Sequence, residues 1–230
     1  MAAPREPVTL ILAEAALELV PRSLRSHASV VSNAHKQGKD PARVLLDSSF
    51  HHRAMRGLTD GERRGRPDIV HFCALLAQGS RLNAAGRLRL LIHTCNDVVI
   101  SVKPETRLPR VYDRFKGLVE QVLVEGAVPQ DERFLFVEEG GLTEAVERGA
   151  FKRVLLLTPS GKRTTLAKLF PAKAKLDGTA VLIGAFAHGD FKEATRKAAT
   201  QTASIADEPL EAWSVEGEVL HRLADADGLK

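Results

Sequence analysis

The sequence is poor in cysteine. It has two in 230 residues, Cys73 and Cys95, each inside an apolar stretch and not spaced like metal ligands. A disulfide framework and a cysteine-based zinc site are therefore not expected. No apolar run reaches the ~18 residues of a membrane span. The opening Met1-Ala2-Ala3-Pro4-Arg5 runs into Val8-Thr9-Leu10-Ile11-Leu12 without the small-residue cleavage pattern of a signal peptide. A soluble, cytoplasmic protein is the expectation. Two nucleotide fingerprints are also missing. There is no Gly-x-Gly-x-x-Gly, which removes the main argument for a Rossmann site. Thr158-Pro159-Ser160-Gly161-Lys162-Arg163 leans toward a phosphate loop, but Leu156 stands where the first glycine belongs and Arg163 where Ser or Thr belongs.

What is present is apolar material for a sizeable core, 44% of residues, in a chain of a length open to one domain or two. With no repeat or low-complexity linker, one domain over 1–230 is the simplest reading. The net charge of +4 is too small to argue nucleic-acid binding, but its distribution is uneven. Segments 51–116 and 151–200 each carry +7, whereas 117–150 carries −6 and 201–230 carries −5. Strong local fields lie under a modest total. The acidic stretches are expected to lie off the basic face.

Short β-like runs alternate with helical ones. Strands are predicted at Val8–Leu12, Val44–Leu46, Leu88–His93, Val98–Val102, Val154–Leu157 and Ala180–Phe186, with a hairpin turn at Thr94-Cys95-Asn96-Asp97. A helix is predicted over Pro21–His35, another from Pro67, and a third from Pro109. The alternation argues an α/β fold with a largely parallel sheet. In the third helix Val111, Phe115, Leu118 and Val122 form an apolar stripe, Arg110 and Arg114 stack beside it, and Asp113, Lys116 and Glu120 point away.

Arg63, Arg64, Arg66, Arg107, Arg110 and Arg114 come from two helix starts and form a candidate basic face. Arginine suits bidentate recognition of phosphate or base carbonyls; a solvated, salt-bridged surface stays open beside that reading. Asp68 reads first as a first-turn carboxylate suited to the helix dipole, and otherwise as a base or an orienter of an arginine. His51-His52 lack a third ligand at metal spacing and read as local hydrogen-bonding residues, with acid–base work as the alternative. The strand leading to Gly184 and Gly189 ends in glycines five apart, which allow close approach of backbone to a ligand or simply a turn.

Taken in order, several words stop looking independent. They are Leu45-Leu46-Asp47-Ser48-Ser49 with His51-His52-Arg53-Ala54-Met55, then Arg63-Arg64-Gly65-Arg66-Pro67-Asp68-Ile69-Val70-His71, then His93-Thr94-Cys95-Asn96-Asp97. Lys103-Pro104-Glu105-Thr106-Arg107-Leu108-Pro109-Arg110 completes the run. Together with the Ile183–Phe191 loop and 205–212, they resemble the Nep (also called Emg) family of ribosome-biogenesis methyltransferases over nearly the whole chain. The resemblance implies a SPOUT-type knotted α/β fold with a deep C-terminal trefoil knot, an exception to the rule against knots. It implies a homodimer, S-adenosylmethionine as cofactor, and small-subunit ribosomal RNA as partner alongside ribosomal assembly proteins, in the cytoplasm or, in a eukaryotic source, the nucleolus. RNA-binding motifs would lie mainly in 43–116 and the cofactor-binding knot in 153–225.

The same resemblance implies cofactor contacts from Leu157, Thr158, Gly184, Gly189, Asp190, Phe191, Ile205, Ala206, Asp207, Glu208, Pro209 and Leu210. RNA contacts fall on Arg66, Arg107, Arg110, Arg114 and Tyr112, the only tyrosine, which stacks on a base or packs half-buried. Arg66 and Asp68 are the catalytic candidates, for transfer of a methyl group to N1 of a pseudouridine. The competing readings are an RNA-binding assembly factor whose main role is not catalytic, and a knotted methyltransferase acting on another atom such as a ribose hydroxyl.

Overall fold

Among the described residues, 5–229, the computed structural model holds one eight-stranded sheet. The segment Met1–Pro4, read above for a leader, lies outside them. In chain order the strands are β1 (Val8–Ala15), β2 (Leu88–Thr94), β3 (Val99–Val102), β4 (Ala127–Val128), β5 (Leu135–Val137), β6 (Arg153–Arg163), β7 (Thr179–Gly184) and β8 (Gln201–Ser204). Their spatial order is β4-β5-β3-β2-β1-β7-β6-β8. From β2 through β8 every neighbouring pair is parallel, and the β2–β3 hairpin turns the remaining edge antiparallel. The α/β fold with a largely parallel sheet is therefore observed.

The helices are α1 (Ala28–Lys36), α2 (Ser48–His51), α3 (Pro67–Gln78), α4 (Arg81–Ala84), α5 (Tyr112–Glu125), α6 (Leu142–Arg148), α7 (Leu166–Leu169), α8 (Glu193–Ala198) and α9 (Ala212–Asp227). All eight residues of β1 are buried, as both faces of a central parallel strand must be when helices cover them. Leu10 and Leu12 face a core shared with α3, α5 and α9. Ile11 and Ala13 face the opposite core, with Leu142 and Ala145 of α6 and with Leu156, Leu182 and Phe191. A smaller cluster of Val20, Val30, Val44, Leu46 and Met55 holds the segment before α3 together.

Four expectations need correction. The helix over Pro21–His35 breaks into a 3-10 turn, Arg22–Leu24, and α1, which restarts where the His27 side chain accepts from the Ser29 amide at 3.2 Å. Val44–Leu46 is not a strand of the sheet; it forms one isolated bridge, Leu45 with Leu19, flanked by backbone hydrogen bonds to Glu18 and Val20. The strand at Val154 does not stop before Thr158. It continues to Arg163, with a shift of register between Leu157 and Lys162 that lets Ala203 of β8 pair with both. The third helix starts at Tyr112 rather than Pro109: Val111 is its cap and 57% exposed, while Lys116 and Glu120 are buried instead of facing away.

Candidate active site

The C-terminal ends of β6, β7 and β8 open together, where the chain runs from β6 inward to β7 and back across to β8. Ligands of open α/β sheets bind outside such strand ends, where the strand order reverses. A cleft of about 300 Å³ lies there, walled by Leu157 and Thr158 from β6, Gly184, Gly189, Asp190 and Phe191 from the β7 loop, and Ile205, Ala206, Glu208, Pro209 and Leu210 after β8. Eleven of the twelve expected cofactor residues thus line one cavity. Asp207 does not; its carboxylate turns outward to Arg163, 2.8 Å away. The lining residues not named from the sequence include Ile183 and Phe186, both inside the Ile183–Phe191 loop, and Ala203, whose only signal was its apolar character.

Glycine is needed in two places. A Cβ on Gly184 would come within 3.0 Å of the Phe186 and Phe191 rings, so the cleft wall closes against a backbone with no side chain. At Gly161 a Cβ would lie 2.5 Å from backbone carbon of Ala203, which explains how the irregular Thr158–Gly161 stretch of β6 packs against β8.

Asp190 is engaged with protein rather than pointing free into the cleft. Thr158 Oγ1 and Ser160 Oγ donate to its two oxygens at 2.7 and 2.8 Å, the Phe191 amide donates at 2.8 Å, and Arg196 pairs with it at 2.5 Å. Burial alone would raise this carboxyl, but those donors and the Arg196 charge outweigh it and hold the group below the usual range. The cluster ties the end of β6 to the β7 loop across 32 residues of chain. Behind it Glu14, in a left-handed conformation at φ 51°, accepts from Arg63 at 2.6 Å and from the Lys192 amide at 2.7 Å. Arg63 also donates to the Asp190 carbonyl and lies 4.0 Å over the Phe186 ring.

Arg63 and Arg64 therefore do not join the exposed basic face. Arg64 forms a two-pronged pair with Glu18, both contacts 2.6 Å, and both arginines brace the sheet end. Arg66 is different. Its guanidinium makes a bidentate pair with Asp68, 2.8 and 2.7 Å, with both side chains 34% exposed. That hydrogen bond raises the Arg66 pKa and fixes the guanidinium plane, with Glu211 and Tyr112 also acting on its charge. Glu211, whose charge acts on Arg66, stands between Leu210 and Ala212 of the cleft wall, so the pair lies on that side of the cavity.

Arg107, Arg110 and Arg114 are exposed and have no ion-pair partner among the described residues. The His71 ring donates to the Pro109 carbonyl at 2.8 Å and pins the loop that carries them. Tyr112 is half-buried: its hydroxyl donates to Asp47 Oδ2 at 2.9 Å, and burial together with Asp47 pushes its pKa up. Lys116, buried, reaches the same Asp47 oxygen at 3.0 Å and lies 4.7 Å over the Tyr112 ring. His51 accepts from the Asp47 amide and contacts Asn33 Oδ1, and burial lowers its pKa. It is a core hydrogen-bonding residue, while His52 is exposed.

The chemistry of the cavity is specific. Among the described residues that line it there is no lysine or arginine; of its two acids Asp190 is already balanced by Arg196 and Glu208 has no ion-pair partner among the described residues, and Ile183, Phe186 and Phe191 give apolar walls. That suits a ligand with a flat apolar part and positive charge, not a phosphate. Outside the mouth the sign inverts, with exposed arginines suited to a polyanion.

Residues 10–224 match the family described as EMG1/NEP1 methyltransferase. The chain is 43% identical over 211 residues to the ribosomal RNA small subunit methyltransferase Nep1 of Thermococcus sibiricus, covering 92% of this chain and 94% of the relative. It is 43% identical over 220 residues to the protein of that name from Thermococcus kodakarensis, covering 96% and 99%. The crystal structure of Archaeoglobus fulgidus Nep1 bound to S-adenosylhomocysteine superposes with a TM-score of 0.85 at 36% identity, over 98% of this chain and 100% of that one. Sequence and fold match from end to end, and the chain belongs to the EMG1/NEP1 methyltransferase family.

Proposed function

We propose that this chain is an S-adenosylmethionine-dependent ribosomal RNA methyltransferase that methylates N1 of a pseudouridine in small-subunit RNA during ribosome biogenesis. It would work in the cytoplasm as a homodimer. The observation that carries the reading is the juxtaposition of a cation-free, acid-bearing cleft with the Arg66–Asp68 pair on its Glu211 side. Family membership and the S-adenosylhomocysteine in the similar structure support the cofactor. In this reading residues 43–116 carry the RNA contacts and 153–225 form the cofactor-binding knot. Parallel pairing of β7 and β8 on opposite sides of β6 is compatible with such a knot.

When bound, S-adenosylmethionine supplies an electrophilic methyl group on a positively charged sulfur. The walls Leu157, Gly184, Phe191, Ile205, Ala206 and Glu208–Leu210 would hold it, and the Thr158–Asp190–Arg196 cluster would keep two of those walls in register. What remains for the chain is orientation and charge. The N1 proton must leave the ring for solvent water, and the negative charge left behind develops toward a ring carbonyl. Arg66 would face that carbonyl, where a fixed donor stabilises the charge. Asp68 would act through Arg66, since both its oxygens already accept from the guanidinium. Arg107, Arg110 and Arg114 would grip phosphates and present an unstacked loop base. The homodimer would form through the exposed apolar face of Phe72 and Leu76 on α3, where Trp213 of α9 lies 5.5 Å from Phe72.

Transfer from radiolabelled S-adenosylmethionine to paired RNA hairpins, differing only in uridine or pseudouridine at one loop position, tests the reading. Label only on the pseudouridine hairpin is expected. Equal label on both would refute N1 specificity, and label on neither would leave an assembly factor that binds without catalysis.

A further inference from the structure

Two phenylalanines are strongly exposed, and their surroundings differ. Phe72 lies against Trp213 in an apolar face. Phe50, 46% exposed at the end of α2, stands among cations. Lys116 Nζ lies 4.6 Å over its ring, and the same ammonium lies 4.7 Å over Tyr112, so one buried lysine sits between two aromatic rings. His52 and Arg53 follow it in sequence, both exposed, and Arg53 has no ion-pair partner among the described residues. Arg114 occupies the first turn of α5 with Tyr112, and Val111, flanked by Arg110, is also exposed. The acids nearby are Asp47, buried and already accepting from Tyr112 and Lys116, and exposed Asp113, paired with Lys116 at 3.2 Å.

We infer that Phe50 is a stacking platform for an unpaired RNA base flanking the modified nucleotide, and that Tyr112 is not. The inference rests on the RNA-methyltransferase reading above and adds a base-binding residue to it. Tyr112 is held by its hydroxyl at Asp47, covered by Lys116 on its ring, and has His71 5.8 Å from its centroid. Phe50 has Lys116 beneath it and nearly half its surface in solvent. Bases bind such isolated aromatics by their flat faces while neighbouring cations hold the phosphates on either side. A second copy of this chain fits less well there, because the surrounding unpaired charges share one sign. The chain also ties this platform to the catalytic candidates. Lys116 joins the Phe50 and Tyr112 rings, and the charge of Asp68 also acts on Tyr112, so the Arg66–Asp68 pair lies on the Tyr112 side of the platform.

The test compares wild-type full-length chain with Phe50→Ala and Phe50→Trp, using fluorescence anisotropy against two RNAs of equal phosphate count. One is a hairpin with an open loop and the other is fully paired. Phe50→Ala is expected to bind the open loop about five- to a hundredfold more weakly, and Phe50→Trp to restore it. Duplex affinity and the slope of log Kd against log salt should stay at wild-type values, because stacking neutralises no phosphate. A 2-aminopurine at the stacked loop position should brighten on going from wild type to Phe50→Ala. Wild-type affinity of Phe50→Ala for the open loop would overturn the inference. So would equal losses on both RNAs, failure of tryptophan to rescue, or a change of oligomeric state, which would mark a protein contact instead. Wild type that binds neither RNA would sink the methyltransferase reading as well. A loss of the Phe50 effect alone leaves that reading standing.

Discussion

Replacing Glu216 by glutamine should remove a pH-dependent weakness from the fold. Glu216 lies on α9, fully buried, and neither of its carboxylate oxygens has a hydrogen-bond partner among the described residues. The polar group nearest to acting on it is the Cys73 thiol on α3, whose own pKa burial pushes up, so it offers no charge to balance a carboxylate. Burial therefore raises the Glu216 carboxyl from 4.5 to about 8. The folded chain keeps a proton there that the unfolded chain releases. Stability from this site is thus complete below the unfolded pKa and declines as pH rises through 4.5 toward 8. At ~1.36 kcal/mol per pH unit the full shift corresponds to about 5 kcal/mol, an upper bound because water and local relaxation soften a buried charge. A measured loss of about 2–4 kcal/mol would be a large share of the stability of an ordinary domain. Urea unfolding from pH 5 to pH 9 reads it directly. Wild type should weaken across the range and Glu216→Gln should stay nearly level, even if the buried amide lowers its absolute stability at pH 5. His51 and His93, both lowered by burial, push stability the other way below their usual range. Both proteins share them, so the difference between the two curves isolates Glu216. Parallel curves would refute the argument.

Two further outcomes follow from the site. Gly184→Val would drive a branched side chain into the Phe186 and Phe191 rings, already within 3.0 Å of a bare Cβ; calorimetric affinity for S-adenosylhomocysteine should fall at least about tenfold, with RNA affinity unchanged. Arg110→Ala should weaken RNA binding uniformly and lower the salt slope by about one, since the side chain has no protein partner to lose; an unaltered slope would place Arg110 off the RNA path.

The parts of the fold that were legible from the sequence are those whose signal is local. Val8–Leu12, Val154–Leu157 and Ala180–Phe186 read as strands because continuous apolar residues of that length have few other uses, although the last of them ends at Gly184. The hairpin read correctly because Thr94–Asp97 carries its own turn, with the Val98 amide donating to Thr94 Oγ1 at 3.1 Å. The failures all depend on distant residues. Lys116 and Glu120 were placed outward by the helical period, yet Asp47 satisfies one, and Lys39 with the Leu45 amide satisfies the other. The extension of β6 to Arg163 needs Ala203, forty residues on, to pair twice. Asp190 was assigned to the cofactor by its position in a motif, and it does line the cleft. Its place in a cluster with Ser160 and Arg196 appears only once the strand ends are brought together.

Charge distribution shows most plainly what folding adds. The +7 block at 51–116 suggested a binding face with acidic stretches elsewhere as counterweights. In the folded chain several of those acids, joined by Glu14 and Glu18 from the start of the chain, return to the block itself. Asp225 and Asp227 pair with Arg81 and Arg87, Glu138 pairs with Arg89, and Glu14 and Glu18 pair with Arg63 and Arg64. None of those five arginines is then free to neutralise a phosphate without first breaking a pair. What survives on the surface is a subset: Arg107, Arg110 and Arg114, with Arg53 and Arg56. Salt dependence of RNA binding should therefore report this handful and not the thirteen cations of the block. A linear charge count overstates a binding face because it cannot see which arginines the fold has already used. The selectivity comes from topology, since the carboxylates that silence the structural arginines arrive from β1, from β5's end and from the last turn of α9.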